Sequence, residues 1–139
     1  MTESIWATVA SILLSGVIGV IISIAYYRRY EKRKSKLDTL KRLLANRFAL
    51  TPNSTSASRD RFFEALNEVV VVFHDSQPVM SALEQIHSDL PRPDRLQDNV
   101  VSLFKAMFKH LDIKYELNES FFLHPFTPGP MFRQGGGGP

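Results

Sequence analysis

The chain has 139 residues, of which residues 5–27 form an apolar stretch without a charged side chain. Roughly 110 residues follow this stretch, enough for a single small domain. The absence of cysteine excludes disulfides, thiolate metal sites and cysteine nucleophiles, and is typical of a reducing compartment. The net charge of +3 is unevenly spread, since residues 48–139 hold 8 basic and 11 acidic side chains. A mildly acidic domain argues against nucleic-acid binding, and no nucleic acid is expected as a partner.

The apolar stretch 5–27 is the first element of the chain. As a helix it would be roughly 34 Å long, enough to cross a hydrocarbon layer of about 30 Å. A secretory signal peptide is the alternative, but it would begin with basic residues, and Met1–Ser4 contain none. We therefore expect a transmembrane helix at 5–27, preceded by a short extracytoplasmic segment at 1–4.

Basic residues follow the apolar stretch and predict its orientation. Residues 28–47 hold nine Lys or Arg against Glu31 and Asp38, a local charge of 9 − 2 = +7. Because positive flanks stay in the cytoplasm, we expect a bacterial inner-membrane protein with its N-terminus outside and its remaining chain cytoplasmic. The residues expected to contact lipid headgroups or another anion are Arg28, Arg29, Lys32, Arg33, Lys34 and Lys36.

Small residues recur at every fourth position of the apolar stretch. They form a ridge along which a second helix can approach closely, which predicts self-association or docking to another span. The alternative is that small residues are simply common in membrane helices. A polar path in a higher oligomer is a further possibility, although the span contains no charge. The ridge consists of Ala7, Ser11, Ser15, Gly19 and Ser23.

The basic segment 28–50 has a helical pattern, with Leu37, Leu40, Leu43 and Leu44 on one face. Lys36, Lys41 and Arg42 are assigned to the other face. We expect one helix from the span to about Phe48, followed by a loop at 51–58 that ends where Ser56 or Ser58 caps the next helix. The candidates for contact with a ligand flank this loop, and are Arg42, Arg47, Arg59 and Arg61.

The segment 59–132 is predicted to be the helical domain. Its first helix runs to His74 with an apolar face, the second begins after Ser76 with Pro78 in its first turn, and the third begins at Pro93. The first helix is expected to bury Phe62, Phe63, Leu66, Val69, Val70 and Phe73. The fold class is thus all-α, a transmembrane helix that continues into a bundle of three to four helices.

Past Asp112 we expect an extended tail with prolines and aromatic residues, which either straps the domain or docks to a partner. Residues 133–139, RQGGGGP after Phe132, have the composition of a flexible tail or linker remnant.

No pattern of catalytic or metal-binding residues is present. The histidines His74, His87, His110 and His124 lie in separate segments without metal-site spacing, and each is expected at a helix end or on the surface. No serine stands in a nucleophile-elbow pattern and no phosphate loop occurs. A weak alternative is a hydrolase that uses Asp60, Glu64 and His74. We expect no enzyme activity, no cofactor and no metal.

Two runs carry a resemblance to a known family, RDRFFEALNEVVVVFHDSQPVMSAL and LFKAMFKHLDIKYELNESFFLHPFTPGP. They are similar to those of small bacterial proteins, most without assigned function, that have one N-terminal span and a helical cytosolic domain. The resemblance covers about Leu37 to Pro130. It implies no catalytic residues, and it implies a genomic context among phage-defence and mobile-element genes.

These observations favour a non-enzymatic, single-pass membrane protein that self-associates and presents its helical domain to a soluble protein partner, in antiphage defence. The alternative is an effector that forms a pore or depolarises the membrane when its domain binds a ligand.

Overall fold

In the computed structural model, residues 2–114 and residue 120 are described. Four α-helices and one short 3-10 helix account for most of them, and no strand occurs in these residues. The helices are α1 (Thr2–Ala45), α2 (Ser56–Val72), α3 (Gln77–Asp89) and α4 (Pro93–His110), with the 3-10 helix at Arg47–Leu50. The all-α prediction is confirmed. The extended tail predicted after Asp112 and the segment 133–139 fall almost entirely outside the described residues.

The chain divides into two compact units, residues 1–35 and residues 36–139. The first unit is helical throughout its described length and contains the apolar stretch. The second unit is the bundle, which contains the last turns of α1, the 3-10 helix, and α2, α3 and α4. α3 and α4 form its most extensive helix pair.

The bundle has one hydrophobic core to which every helix contributes. Fully buried aromatic side chains come from α2, its C-cap and α4, while α1 supplies two leucines and α3 one isoleucine. The largest of these side chains are Phe62, Phe73, Phe104, Leu40, Leu43, Ile86, Leu103 and Met107. The prediction for α2 is wrong at two positions, because Phe63 and Val70 are 39% and 47% exposed.

The helix starts follow local rules. Thr55 caps α2, since its hydroxyl accepts a hydrogen bond from the Ser58 backbone N–H at 3.2 Å, so the prediction of Ser56 or Ser58 as the cap is wrong. The predicted starts of α3 and of α4 at Pro93 are confirmed, and Ser76 stands at the N-cap position of α3, although its hydroxyl makes no capping hydrogen bond.

The end of α4 is held by a pair of backbone hydrogen bonds. The Ile113 N–H donates to the Phe108 carbonyl at 3.0 Å, and the Asp112 N–H donates to the Lys109 carbonyl at 3.1 Å. Asp112 lies between them with φ of 51°, the left-handed conformation that usually requires glycine at this position. These bonds close α4 in a Schellman motif.

Candidate functional site

The apolar part of α1 is exposed to solvent throughout. Its most apolar window of 18 residues has none of its residues buried, and its length and composition suffice to cross a membrane. Ile5, Leu13 and Ile22 are each at least 60% exposed. Core helices of soluble proteins pass the same test of length and composition, but they are mostly buried. This helix therefore has the exposure of a surface that another apolar phase must cover.

The ridge serines satisfy their hydroxyl protons within their own helix. Ser11 donates to the Ala7 carbonyl, Ser15 to the Ile12 carbonyl and Ser23 to the Gly19 carbonyl, each at 2.9 Å. The hydroxyl oxygens keep free acceptor capacity, but no donor is left without a partner. These serines can therefore lie in hydrocarbon or against another helix without an unsatisfied proton.

The ridge also leaves space for a second backbone. A Cβ atom added to Gly19 would meet nothing within 4 Å in this chain. A first side-chain atom at this position thus meets no obstacle in the same chain.

Lys36 was predicted to contact lipid headgroups, but its side chain is buried in the structure. It is only 8% exposed, whereas Arg28, Arg29, Lys32, Arg33 and Lys34 are exposed. The prediction that Lys36 meets lipid is wrong because its ammonium is occupied inside the bundle. It lies one and two helical turns before Leu40 and Leu43, on the core face of α1 and not on the face assigned from the sequence.

The Lys36 ammonium is the centre of a polar cluster, defined here as Lys36, Asp75 and His110. Its Nζ lies 2.7 Å from each carboxylate oxygen of Asp75 and 2.8 Å from Nε2 of His110. It also lies 5.6 Å from the centre of the Phe73 ring, which packs edge-on against the His110 ring. The three donors of the ammonium are thus all used.

Charge and tautomer in this cluster follow from the geometry. The hydrogen bonds from Lys36 hold the pKa of Asp75 below its ordinary value of 3.8, and the positive charge of Lys36 acts in the same direction while burial opposes both. Because an ammonium only donates, Nε2 of His110 accepts and the ring proton is on Nδ1. The 3.9 Å contact between His110 and Asp75 is then no ion pair.

This cluster is suited to holding segments together and not to catalysis. A fully bonded ammonium has no lone pair for nucleophilic attack, and the His110 lone pair is already bonded. The cluster joins positions separated by 39 and 74 residues along the chain, in α1, in the turn between α2 and α3, and at the end of α4. Among the described residues, no group of three or more metal-ligating side chains is close enough to hold an ion.

The four candidate arginines lie in separate surroundings, and three of them have contacts within the chain. Arg42 forms an ion pair with Glu68 at 2.7 Å, and Arg47 donates to the Leu44 carbonyl at 3.0 Å. Arg59 donates to the Ser54 carbonyl at 3.3 Å, and Arg61 is exposed on α2. These contacts do not gather the arginines around one ligand, so they give no support to the ligand-triggered effector.

An all-helical protein with an apolar N-terminal helix and a small helical bundle is the class that this fold defines. The chain belongs to a family of unknown function, DUF6680, which it matches over residues 1–122. The match includes both the apolar helix and the bundle. No curated protein and no solved structure shows significant similarity to the chain.

Proposed function

We propose that this protein is a non-enzymatic, single-pass anchor of the bacterial inner membrane that self-associates through its span and presents its bundle to a soluble protein in the cytoplasm. The observation that carries the proposal is the exposure of the uncharged apolar stretch of α1. None of the residues in its most apolar window is buried. Its eleven Ile, Leu and Val side chains favour insertion by roughly 3–7 kcal/mol on the biological insertion scale.

Two further observations support an anchor over a removable signal sequence. The family match begins at residue 1 and continues through the helix into the bundle. α1 itself continues without interruption to Ala45, and its Leu40 and Leu43 belong to the bundle core. Cleavage after the apolar stretch would have to cut inside this helix.

Anchoring and orientation are tested by labelling in intact cells. The chain has no cysteine, so a single Thr2→Cys or Asn53→Cys substitution places one thiol at the N-terminus or in the exposed loop. We expect a membrane-impermeant maleimide to label the Thr2→Cys variant in intact cells and the Asn53→Cys variant only after lysis. A full-length chain that stays in the aqueous fraction without detergent would refute the anchor, and labelling of the Asn53→Cys variant in intact cells would refute the orientation.

Self-association is tested on the ridge. Ser15→Leu with Gly19→Leu places two large side chains on the ridge, at positions that are exposed in this chain. We expect the oligomer in mild detergent to dissociate. The control is Ala10→Leu, which adds one large side chain about 140° around the helix from Ser15. Unchanged oligomer size in the ridge variant, or equal dissociation in the control, would contradict the proposal.

The defence context rests on the resemblance described above and extends the proposal to antiphage activity. It is tested by the plating efficiency of a phage panel on cells with and without the gene, with the ridge variant as a second strain. We expect the wild-type gene to lower the plating efficiency of at least one phage, and the ridge variant to restore plating to the level of cells without the gene. Equal plating on all strains would remove this part of the proposal.

A further inference from the structure

Exposed apolar side chains are concentrated on one strip of α2. Outside α1, four large hydrophobic side chains of the described residues are exposed, and three of them are Phe63, Val70 and Val71, at 39%, 47% and 72%. With Asn67 and His74, they lie within an arc of about 100° on α2. We call these five residues the α2 strip.

The exposed valines in the strip are not part of the buried core of the bundle. Val71 is nearly as exposed as a side chain in water, so it contributes little to the core. A β-branched residue also lowers helix propensity relative to alanine, because its rotamers are restricted by the preceding turn. Departures from such local rules are expected at functional or strained sites, and neighbouring exposed apolar side chains are typical of an interaction surface.

The strip is arranged symmetrically about Asn67. Phe63 precedes Asn67 by four residues, and Val70 and Val71 follow it by three and four. If α2 of a second copy packs antiparallel to α2 of the first, with the two Asn67 residues opposite each other, Phe63 of each copy lies against Val70 and Val71 of the other. Such a self-complementary patch is the requirement of a two-fold interface. We propose that the α2 strip is a homodimer interface whose occupant is α2 of a second copy.

Charge favours the antiparallel arrangement. Asp60 precedes Asn67 by seven residues and His74 follows it by seven, so the pairing sets the carboxylate of one copy beside the imidazole of the other. His74 Nδ1 donates to the Val71 carbonyl at 2.8 Å, so its outward nitrogen is Nε2, which donates to a carboxylate only when the ring carries a second proton. A parallel pairing would instead set Asp60 against Asp60, and like charges repel. Membrane tethering raises the effective concentration that so small a patch needs.

Oxidative crosslinking of the full-length protein in membranes tests the interface. We expect Asn67→Cys, at the two-fold axis, to form disulfide-linked dimers at least about fivefold more than Gln85→Cys, an exposed control on α3. In the Asn67→Cys background, Val71→Ala should lower crosslinking although alanine is the better helix former. His74→Lys should raise it, because lysine sets a fixed positive charge opposite Asp60, and adding Asp60→Lys should lower it again by setting two positive charges together.

Crosslinking of the Asn67→Cys variant no better than that of the Gln85→Cys variant would overturn the inference, as would a His74→Lys substitution that leaves crosslinking unchanged. If the Asn67→Cys thiol neither crosslinks nor reacts with maleimide, another segment or protein covers the strip, which also rejects the second copy. The inference rests on the proposed function only in placing both copies in one membrane. The oligomer size of the ridge variant and the crosslinking of the Asn67→Cys variant are separate measurements, so either can fail alone.

Discussion

Replacing Lys36 and replacing Asp75 should change the free energy of unfolding by very different amounts, because water reaches only the Asp75 side chain to a large extent. The Lys36 side chain is 10% exposed and the Asp75 side chain is 48% exposed. Removing one partner of a fully buried pair costs about 3–5 kcal/mol, since the remaining charge is left buried and unpaired. Asp75→Ala leaves an almost buried ammonium with His110 as its one hydrogen-bond partner among the described residues. We expect it to lower the free energy of unfolding by about 2 kcal/mol, the discount reflecting the exposure of Asp75.

Lys36→Met should cost much less. Methionine keeps an unbranched stem against Phe73, and the carboxylate of Asp75 can return to water. We expect a loss of about 0–1 kcal/mol, and the same loss in the double variant, so that the coupling energy of the pair is about 2 kcal/mol. The assay is urea unfolding of the full-length protein in mild detergent, followed by far-ultraviolet circular dichroism.

The ion pair of Arg42 and Glu68 provides the control. Its atoms are also 2.7 Å apart, but the Arg42 side chain is 56% exposed, so Arg42→Met should cost less than about 0.5–1 kcal/mol. Equal losses for Lys36→Met and Asp75→Ala, or a coupling energy below about 0.5 kcal/mol, would refute the argument from burial.

Three further outcomes are expected. Because the pKa of Asp75 is lowered in the folded state, its contribution to stability is present above the ordinary value of 3.8 and is lost as the pH falls through the lowered value. Unfolding titrations below about pH 4 should thus bring the wild type closer to Asp75→Asn, and a constant difference would contradict this. Thr55→Ala should destabilise the bundle by about 1 kcal/mol, and Thr55→Ser should keep most of the cap, as thermal denaturation would measure. Asp112→Val should cost about 1–2 kcal/mol at φ of 51°, whereas Asp112→Gly should not destabilise, and similar melting temperatures for the two variants would refute the claim of strain.

The helices could be predicted from the sequence because their determinants are local. Pro78 and Pro93 lie in the first turns of α3 and α4, and the run of valines in α2 stays helical because it continues a periodic apolar face. The uncharged stretch 5–27 can likewise be identified from its composition alone.

The polar cluster could not be predicted, because its members are 39 and 74 residues apart in sequence. One indication was available, since Lys36 has the helical spacing of the core residues Leu40 and Leu43. A lysine at a core position needs a carboxylate partner, but the pattern does not say which one. α2 shows a similar limit, because Ala65 is buried while Phe63 and Val70 are exposed, and periodicity cannot choose between neighbouring faces.

The burial of Lys36 reduces the set of basic residues that the proposal assigns to the membrane surface. A lysine whose three donors are bonded inside the bundle cannot also contact lipid headgroups, so the cations available to the membrane surface lie between Arg28 and Lys34. That segment still holds five basic residues against Glu31, which preserves the charge bias on which the proposed orientation rests. Lys36 is also the first residue of the bundle unit. The basic segment of this chain therefore has two parts that its sequence does not separate, since Arg28 to Lys34 are exposed and assigned to anionic lipid by the proposal, whereas Lys36 is bonded inside the bundle.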